Sequence, residues 1–176
     1  ESSLDAFKVS LGLPTDARIA LAEDELKRLH TELGDLLRKM GRFDEADAEY
    51  GEALRLDPHS SDAIAGRIEL LLQCNNNDAA LTLAETSLQQ SLDDVSVVSA
   101  AANAYFACKR YVEAADLLKR QVEHPNTSPA QKHILLFHLG DAYDRTGEYD
   151  AAWRTYEQAN RLKEVSFSPE AVAEQT

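Results

Sequence analysis

Residues that interrupt helices are scarce in this sequence, and so are residues that cross-link small domains. The 176 residues include five prolines, seven glycines and two cysteines. Few prolines and glycines, together with 44% hydrophobic residues, favour a mostly helical chain over a sandwich, a barrel or a disordered segment. Composition therefore predicts an all-α fold that is long enough to bury a continuous core.

Basic residues are also in short supply, with 18 Lys and Arg against 31 Asp and Glu and a formal charge of −13. A chain of this charge repels nucleic-acid phosphates and anionic lipid. No apolar run approaches the roughly 18 to 20 residues of a membrane span, and the N-terminus lacks the pattern of a signal peptide. We expect no nucleic acid and no membrane among the partners, and a cytoplasmic location. Because the chain begins at Glu1, we also expect a segment of a longer protein that need not carry its own targeting signals.

An alanine recurs along the chain at intervals of 34, 34 and 38 residues, at Ala46, Ala80, Ala114 and Ala152. Nine residues before each of them stands a large side chain, namely Leu37, Leu71, Tyr105 and Tyr143. Two antiparallel helices approach closely only where one contributes a small side chain. Large residues three or four positions away then fill the gaps to the next hairpin. The repeat predicts helical hairpins that bury their apolar faces by stacking.

The first and fourth copies carry the fullest pattern. In the first copy its members are Leu33, Gly34, Leu37, Gly41, Phe43, Ala46, Tyr50, Ala53, Asp57 and Pro58. In the fourth they are Leu139, Gly140, Tyr143, Gly147, Tyr149, Ala152, Tyr156 and Ala159. This combination resembles the tetratricopeptide repeat family. The resemblance implies a right-handed α-solenoid of four hairpins, at about residues 27–60, 61–94, 95–128 and 133–166, within an array that spans residues 16–166.

The second copy departs most from this pattern. Ile68 occupies the slot that Gly34 and Gly140 fill, and its turn carries Asn75, Asn76 and Asn77. Asparagine tolerates left-handed backbone, so we interpret this run as a helix stop, with Asp78 as the next helix cap.

The 38-residue interval has a local explanation in residues 128–131, Ser-Pro-Ala-Gln. These residues match a capping box with proline at the first helical position. Four extra residues make about one helical turn. The first helix of repeat four is therefore predicted to begin a turn early.

Both ends of the chain extend beyond the repeats. Residues 16–40 have an apolar three-four alternation without Gly or Pro before Gly34, which predicts one long amphipathic helix. Before it, Leu4, Phe7 and Leu11 predict a short helix within residues 1–15, and half of an upstream repeat is one interpretation of this helix. Ser168, Pro169 and Glu170 begin a capping or linker helix in residues 167–176.

The two cysteines, Cys74 and Cys108, hold equivalent positions in adjacent repeats. We expect their Cα atoms to be about 10 Å apart, beyond the disulfide reach of about 7 Å. Both are predicted to be free thiols that pack as small apolar groups, which fits a reducing compartment.

Residues for catalysis or metal binding are not apparent. The five histidines show no i, i+4 pair. The sequence has no Gly-rich phosphate loop followed by Lys and no Gly-x-Ser-x-Gly elbow. The acidic runs at 23–25 and 93–94 are interpreted as solvated helix starts. We expect no cofactor, no metal and no enzyme activity in this segment.

The resemblance implies that partners, protein or peptide, bind a concave groove lined by the first helix of each hairpin. The predicted groove residues are Arg28, Thr31, Asp35, Arg38, Asp62, Glu69, Leu72, Ser99, Asn103, Phe106, Phe137, Asp141, Asp144 and Arg145. Thr31 and Asp35 stand where chaperone-binding relatives have the start of a carboxylate clamp, so chaperone tails are disfavoured. Leu72, Phe106 and Phe137 either form an apolar stripe that anchors a partner or pack in the core.

A narrower resemblance concerns residues 147–170, which look like the junction in bacterial proteins that fuse these repeats to a sulfotransferase domain. Three hypotheses follow for the function. The array is a scaffold for a partner segment, an accessory domain for a catalytic domain of the same chain, or a module that oligomerises through its long first helix.

Overall fold

The computed structural model describes residues 15–90 and 94–166, without the side chains of 15–20 and 163–166, and these residues form eight α-helices and no strand. The helices are α1 (Thr15–Lys39), α2 (Phe43–Leu56), α3 (Ser61–Gln73), α4 (Asn77–Gln89), α5 (Val95–Ala107), α6 (Tyr111–Glu123), α7 (Pro129–Thr146) and α8 (Tyr149–Ser166). This is an all-α helical-repeat fold, as the sequence predicts. None of the described helices is both long and apolar enough to cross a membrane.

The chain divides into two compact units, residues 1–66 and 67–176. In the first unit α1 pairs with α2. In the second unit α4, α5, α6 and α7 contact one another in sequence, and α7 pairs with α8. The helix predicted at residues 16–40 is observed as α1. The helices predicted within residues 1–15 and from Ser168 lie outside the described residues.

The recurring alanines lie at the helix crossings. Ala46, Ala80 and Ala114 have no solvent exposure, and Ala152 is almost fully buried. Each stands in the first turns of the second helix of its hairpin. This placement confirms that the repeat period marks the positions where helices need a small side chain.

A tyrosine ring lies directly on a helical glycine in the first unit. A Cβ atom on Gly34 would stand 2.8 Å from Cε1 of Tyr50, and one on Gly66 would stand 2.6 Å from the same atom. Tyr50 is fully buried, and its hydroxyl donates to Oδ1 of Asp35 at 2.6 Å. Burial, reinforced by the Asp35 carboxylate, raises the pKa of Tyr50. The two glycines therefore leave room for the ring, and Asp35 accepts a hydrogen bond from its hydroxyl.

The second unit repeats this arrangement in α7 and α8. A Cβ atom on Gly140 would meet the ring of Tyr156, and the Tyr156 hydroxyl donates to Oδ1 of Asp141 at 2.6 Å. Burial and the neighbouring Asp141 raise the pKa of Tyr156 as well.

Repeat two exchanges the sizes of the two partners, whereas repeat three keeps a small residue on the first helix and a large one on the second. Where the first helix has a glycine, the residue sixteen positions later is tyrosine. Where it has Ile68 or Ala102, that residue is Ala84 or Leu118. All four of these side chains are fully buried. A large side chain on one helix thus accompanies a small one on the other, which explains why Ile68 is accepted in a slot that glycine fills elsewhere.

Each hairpin turn contains one residue with left-handed backbone. These residues are Gly41, Asn75, Lys109 and Gly147, with φ of 75°, 56°, 58° and 84°. Their spacing repeats the 34, 34 and 38 intervals of the alanines. The predicted left-handed asparagine is therefore confirmed at Asn75, whereas Lys109 takes this conformation without the usual glycine.

The start of α7 also agrees with the sequence. Ser128 Oγ accepts from the backbone of Gln131 at 3.3 Å, and the Gln131 side chain accepts from the backbone of Ser128 at 2.9 Å. Helix α7 has 18 residues, against 13 in α5. The predicted capping box and the extra helical turn are both present.

Three expectations are wrong. Asp78 is not a cap, because α4 begins at Asn77 and Asp78 lies in its first turn. Cys74 is exposed rather than packed, although it and the half-buried Cys108 are free thiols as predicted. The acidic run at 23–25 lies inside α1, where Asp24 pairs with Lys27 at 2.7 Å. Asp94 does cap α5, whereas Asp93 lies outside the described residues.

The glycine–tyrosine contact predicts opposite effects for two Gly→Ala changes in the first unit. Gly34→Ala should destabilise by about 1 to 3 kcal/mol, because the buried Tyr50 ring has no room to move away. Gly51→Ala, in α2 with open space around it, should stabilise by about 0.5 to 1 kcal/mol through helix propensity. Urea unfolding measures both. Equal effects would contradict the assigned contact.

The turn geometry predicts that Lys109→Gly stabilises the chain by about 0.5 to 1 kcal/mol, since glycine adopts a left-handed backbone without steric cost. Lys119→Gly, within α6, is the matched control and should destabilise by about 1 kcal/mol. Thermal melts of the two variants compare them directly. A melting temperature lowered by Lys109→Gly would be inconsistent with the backbone at this turn.

Candidate functional site

The predicted groove residues of the first unit are mostly engaged within the hairpin. Thr31 is only 7% exposed, and its hydroxyl donates to the Lys27 carbonyl at 3.0 Å. The Arg38 side chain is 12% exposed and lies 3.6 Å from Asp35, while its Nε donates to the Tyr50 hydroxyl at 3.2 Å. Thr31 is therefore removed from the candidate surface, and Asp35 and Arg38 both bond the Tyr50 hydroxyl.

The other two predicted residues of this unit are exposed. Arg28 on α1 lies 3.6 Å from Glu32. Asp62 is exposed in the first turn of α3.

In the second unit four of the predicted residues meet in one cleft. Phe106 from α5 lines it together with Asp141, Asp144 and Arg145 from α7. Tyr111, the first residue of α6, completes the lining. The cleft has a volume of about 300 Å³. Tyr111 was not among the predicted groove residues.

The apolar part of the cleft consists of the two aromatic rings. The Phe106 and Tyr111 ring centroids lie 6.2 Å apart at an interplanar angle of 40°. Both side chains are half-buried. They are neither fully packed in a core nor isolated on the surface, so an apolar group in the cleft would gain contacts with both rings.

The polar part of the cleft is acidic. Asp141, Asp144 and Arg145 are exposed, so two carboxylates face one guanidinium. Helices α5 and α7 both end beside the cleft, which adds negative partial charge, and α6 begins there and offsets one of the two. The net field favours a cationic group.

Phe137 does not line this cleft. Its ring makes an edge contact with His133, with centroids 5.0 Å apart, and a tilted contact with Tyr156 at 6.0 Å. It belongs to the α7–α8 packing. Leu72, Glu69, Ser99 and Asn103 are half-buried and do not line the cleft.

An ion-pair cluster fixes the helices that carry the aromatic rings. Arg110, between α5 and α6, bonds Glu85 of α4 at 2.7 Å and Glu113 of α6 at 2.8 Å. Its guanidinium carbon lies 5.0 Å from the centre of the Tyr105 ring. The hydrogen bond from Arg110 lowers the pKa of Glu113. Spacing alone did not indicate this cluster, because Glu85 and Arg110 are 25 residues apart.

Comparison with known families identifies the repeats. Two family models described as tetratricopeptide repeat match residues 37–101 and 135–164. The chain belongs to the tetratricopeptide repeat family. Tetratricopeptide repeats are protein–protein interaction scaffolds, and the helical hairpins described above are the form that these repeats take in this chain.

Solved structures of other tetratricopeptide proteins share the fold. PilF of Pseudomonas aeruginosa superposes with a TM-score of 0.71 at 21% identity over 80% of this chain. The matched region is 63% of PilF, so the tetratricopeptide chain spans less than two thirds of that protein. A thermophilic tetratricopeptide protein of Thermus thermophilus gives 0.65 at 21% identity, covering 78% of this chain and 75% of that one. MamA of Desulfovibrio magneticus gives 0.62 at 17%, covering 81% and 78%. A comparison with curated proteins finds no match.

These likenesses establish the fold and leave the sulfotransferase resemblance as a hypothesis. Residues 167–170, on which that resemblance partly depends, lie outside the described residues. Among the described residues no group of three or more His, Cys, Asp or Glu side chains is arranged to hold a metal ion.

A half-buried histidine of this tetratricopeptide chain, His138, predicts a pH dependence of stability. Nδ1 of His138, on α7, is buried and has no hydrogen-bond partner in the described part of the chain, and burial lowers the pKa of His138. The folded state then binds fewer protons than the unfolded state below the unfolded pKa of about 6.5. Stability should be complete above that pH and fall as the pH is lowered through it.

Denaturant unfolding at pH 7.5 and 5.5 measures this effect, and His138→Leu should reduce the difference between the two pH values. An unchanged difference would show that other groups cause it.

Proposed function

We propose that this tetratricopeptide chain is a scaffold that binds an extended segment of a partner protein, and that the cleft formed by Phe106, Tyr111, Asp141, Asp144 and Arg145 is where the segment is anchored. The observation that supports this most directly is the pairing of two half-buried aromatic rings with two exposed carboxylates around about 300 Å³ of open volume. A volume of that size accommodates one or two side chains rather than a large ligand.

The chemistry of the cleft suggests which side chains it takes. An apolar side chain would lie against the Phe106 and Tyr111 rings, where aromatic anchors contribute most of the binding free energy. A neighbouring Lys or Arg would meet Asp144, while Asp141 is already oriented by the Tyr156 hydroxyl. The partner motif is therefore an apolar residue beside a basic one.

Arg145 determines which way round the partner segment lies in the cleft. Among the described residues its guanidinium is the one cationic group that lines the cleft, so it would donate hydrogen bonds to an acidic side chain or a carbonyl oxygen of the same segment. The charge of −13 on the whole chain would raise the association rate of a basic segment and make binding weaker at high salt.

The binding prediction uses four labelled octapeptides that combine an apolar or polar residue with a basic or acidic neighbour. Fluorescence anisotropy should detect the tightest binding for the apolar-basic peptide. Phe106→Ala should weaken that binding about 5- to 150-fold, or about 1 to 3 kcal/mol. Trp153→Ala removes an exposed aromatic side chain outside the cleft and should leave affinity unchanged.

A second pair of variants separates the effect of a charge in the cleft from the effect of the net charge of the chain. Asp144→Asn should weaken the apolar-basic peptide and reduce the salt dependence of its binding, whereas Asp116→Asn removes the same charge from exposed α6 surface and should have little effect. Equal losses for the two variants would mean that the peptide responds to net charge alone. A loss of stability without a loss of affinity in Phe106→Ala would make Phe106 a packing residue, and the proposed anchor would be wrong.

A further inference from the structure

Helix α1 and the residue that follows it expose a continuous apolar stripe, defined here as Leu26, Leu29, Leu33, Leu36 and Met40. Their exposed fractions are 44%, 56%, 44%, 57% and 66%. The spacing alternates between three and four residues, so the side chains follow one face of the helix in heptad order. Large apolar residues this exposed, in an unbroken row, indicate a surface that is covered by a partner.

The stripe is separate from the face that α1 uses within its own hairpin. That face carries Lys27, which bonds Asp57 of the α2–α3 turn at 3.1 Å, and His30, which bonds Glu49 of α2 at 2.6 Å. Gly34 lies against Tyr50, and Leu37 is buried. Pairing with α2 therefore leaves the stripe available.

The size of the stripe suits self-association. Its five side chains expose on the order of 500 Å², as much as the largest apolar patch on a typical monomer. Two copies that covered each other's stripe would bury about 1,000 Å² from these side chains alone, near the lower limit for a specific interface. Flanking charged residues would add to that area.

The sequence of α1 is self-complementary in one orientation. With two copies antiparallel, Leu26 of one lies opposite Leu36 of the other, Leu29 opposite Leu33, and Ala22 opposite Met40. Each apolar side chain then has an apolar partner. In the same register, flanking Glu25 of one copy is opposite Lys39 of the other, and this pair occurs twice because of the two-fold symmetry.

One like-charge contact in this register, between the two copies of Glu32, is offset by a basic residue of the same helix. Glu32 would face Glu32 of the other copy near the two-fold axis, and Arg28 lies 3.6 Å from Glu32 within each chain. A parallel arrangement would instead place Glu25 opposite His30, which already bonds Glu49, and would leave Lys39 without an acidic residue opposite it. Charge therefore selects the antiparallel orientation.

We propose that two copies of this chain associate through the α1 stripes as an antiparallel helix pair, in the register that places Leu29 opposite Leu33 and Glu25 opposite Lys39. This interface lies on α1 and uses none of the residues that line the peptide cleft.

Sedimentation equilibrium of the full chain tests the association, and it should give a dimer that dissociates on dilution. Leu29→Glu with Leu33→Glu should weaken the dimer roughly 100-fold or more without changing the circular-dichroism spectrum, because both side chains are half exposed. Val112→Glu, at a 61% exposed site on α6, is the matched control and should leave the dimer intact. If the full chain stays monomeric up to about 100 µM, the proposal is wrong, even if another molecule or segment covers the stripe.

Charge reversal tests the register. Glu25→Lys alone and Lys39→Glu alone should each weaken the dimer several-fold at low salt, and the two changes together should restore it. If the double variant weakens the dimer by as much as the two single variants added together, the antiparallel register is excluded.

Discussion

The fold depends on a constraint of size at one position in each hairpin. A first-helix residue and the residue sixteen positions later are a small and a large side chain in every repeat, as Gly34 with Tyr50, Ile68 with Ala84, Ala102 with Leu118 and Gly140 with Tyr156. Close-packed interiors tolerate neither a second large group nor a second small one at such a place, because the first overpacks and the second leaves a cavity. The alanines at 46, 80, 114 and 152 keep the backbones close enough for the constraint to act.

This constraint also positions a functional side chain. In repeat one the hydroxyl of the buried Tyr50 needs an acceptor, and in repeats one and four the aspartate after the glycine accepts from the tyrosine hydroxyl at 2.6 Å. In repeat four that aspartate is Asp141, which lines the cleft. The hydrogen bond that completes the packing of Tyr156 therefore fixes a carboxylate where a partner would meet it. Packing and recognition share one interaction.

The sequence was sufficient for the fold because repetition multiplies a weak local signal. The alanine period, the Ser128 capping box and the left-handed turn at Asn75 are determined by neighbouring residues, and all three are observed. The left-handed backbone of Lys109 was not predicted, because lysine has no preference for this conformation. The turn geometry that all four hairpins share imposes it. Asp78 was assigned as a cap from its residue type, although Asn76 precedes the helix.

The candidate site was predictable only in part, since burial depends on contacts between distant residues. Phe106, Asp141, Asp144 and Arg145 were predicted from helix register and are found together. Thr31 was predicted by the same register but is buried against Lys27 of its own helix. Arg38 was predicted among the groove residues, and its Nε bonds the Tyr50 hydroxyl. Arg110 joins three helices through Glu85 and Glu113, a contact that no local pattern indicates.

A double-mutant cycle at the third repeat tests the size constraint most directly. Ala102→Gly alone should leave a gap beside Leu118, Leu118→Tyr alone should overpack, and together they reproduce the glycine–tyrosine pair, with Asn103 in the place of the accepting aspartate. Urea unfolding of the four proteins should show a double variant at least about 1 kcal/mol more stable than the sum of the two single effects predicts. Additive effects would contradict the constraint on which this account of the fold depends.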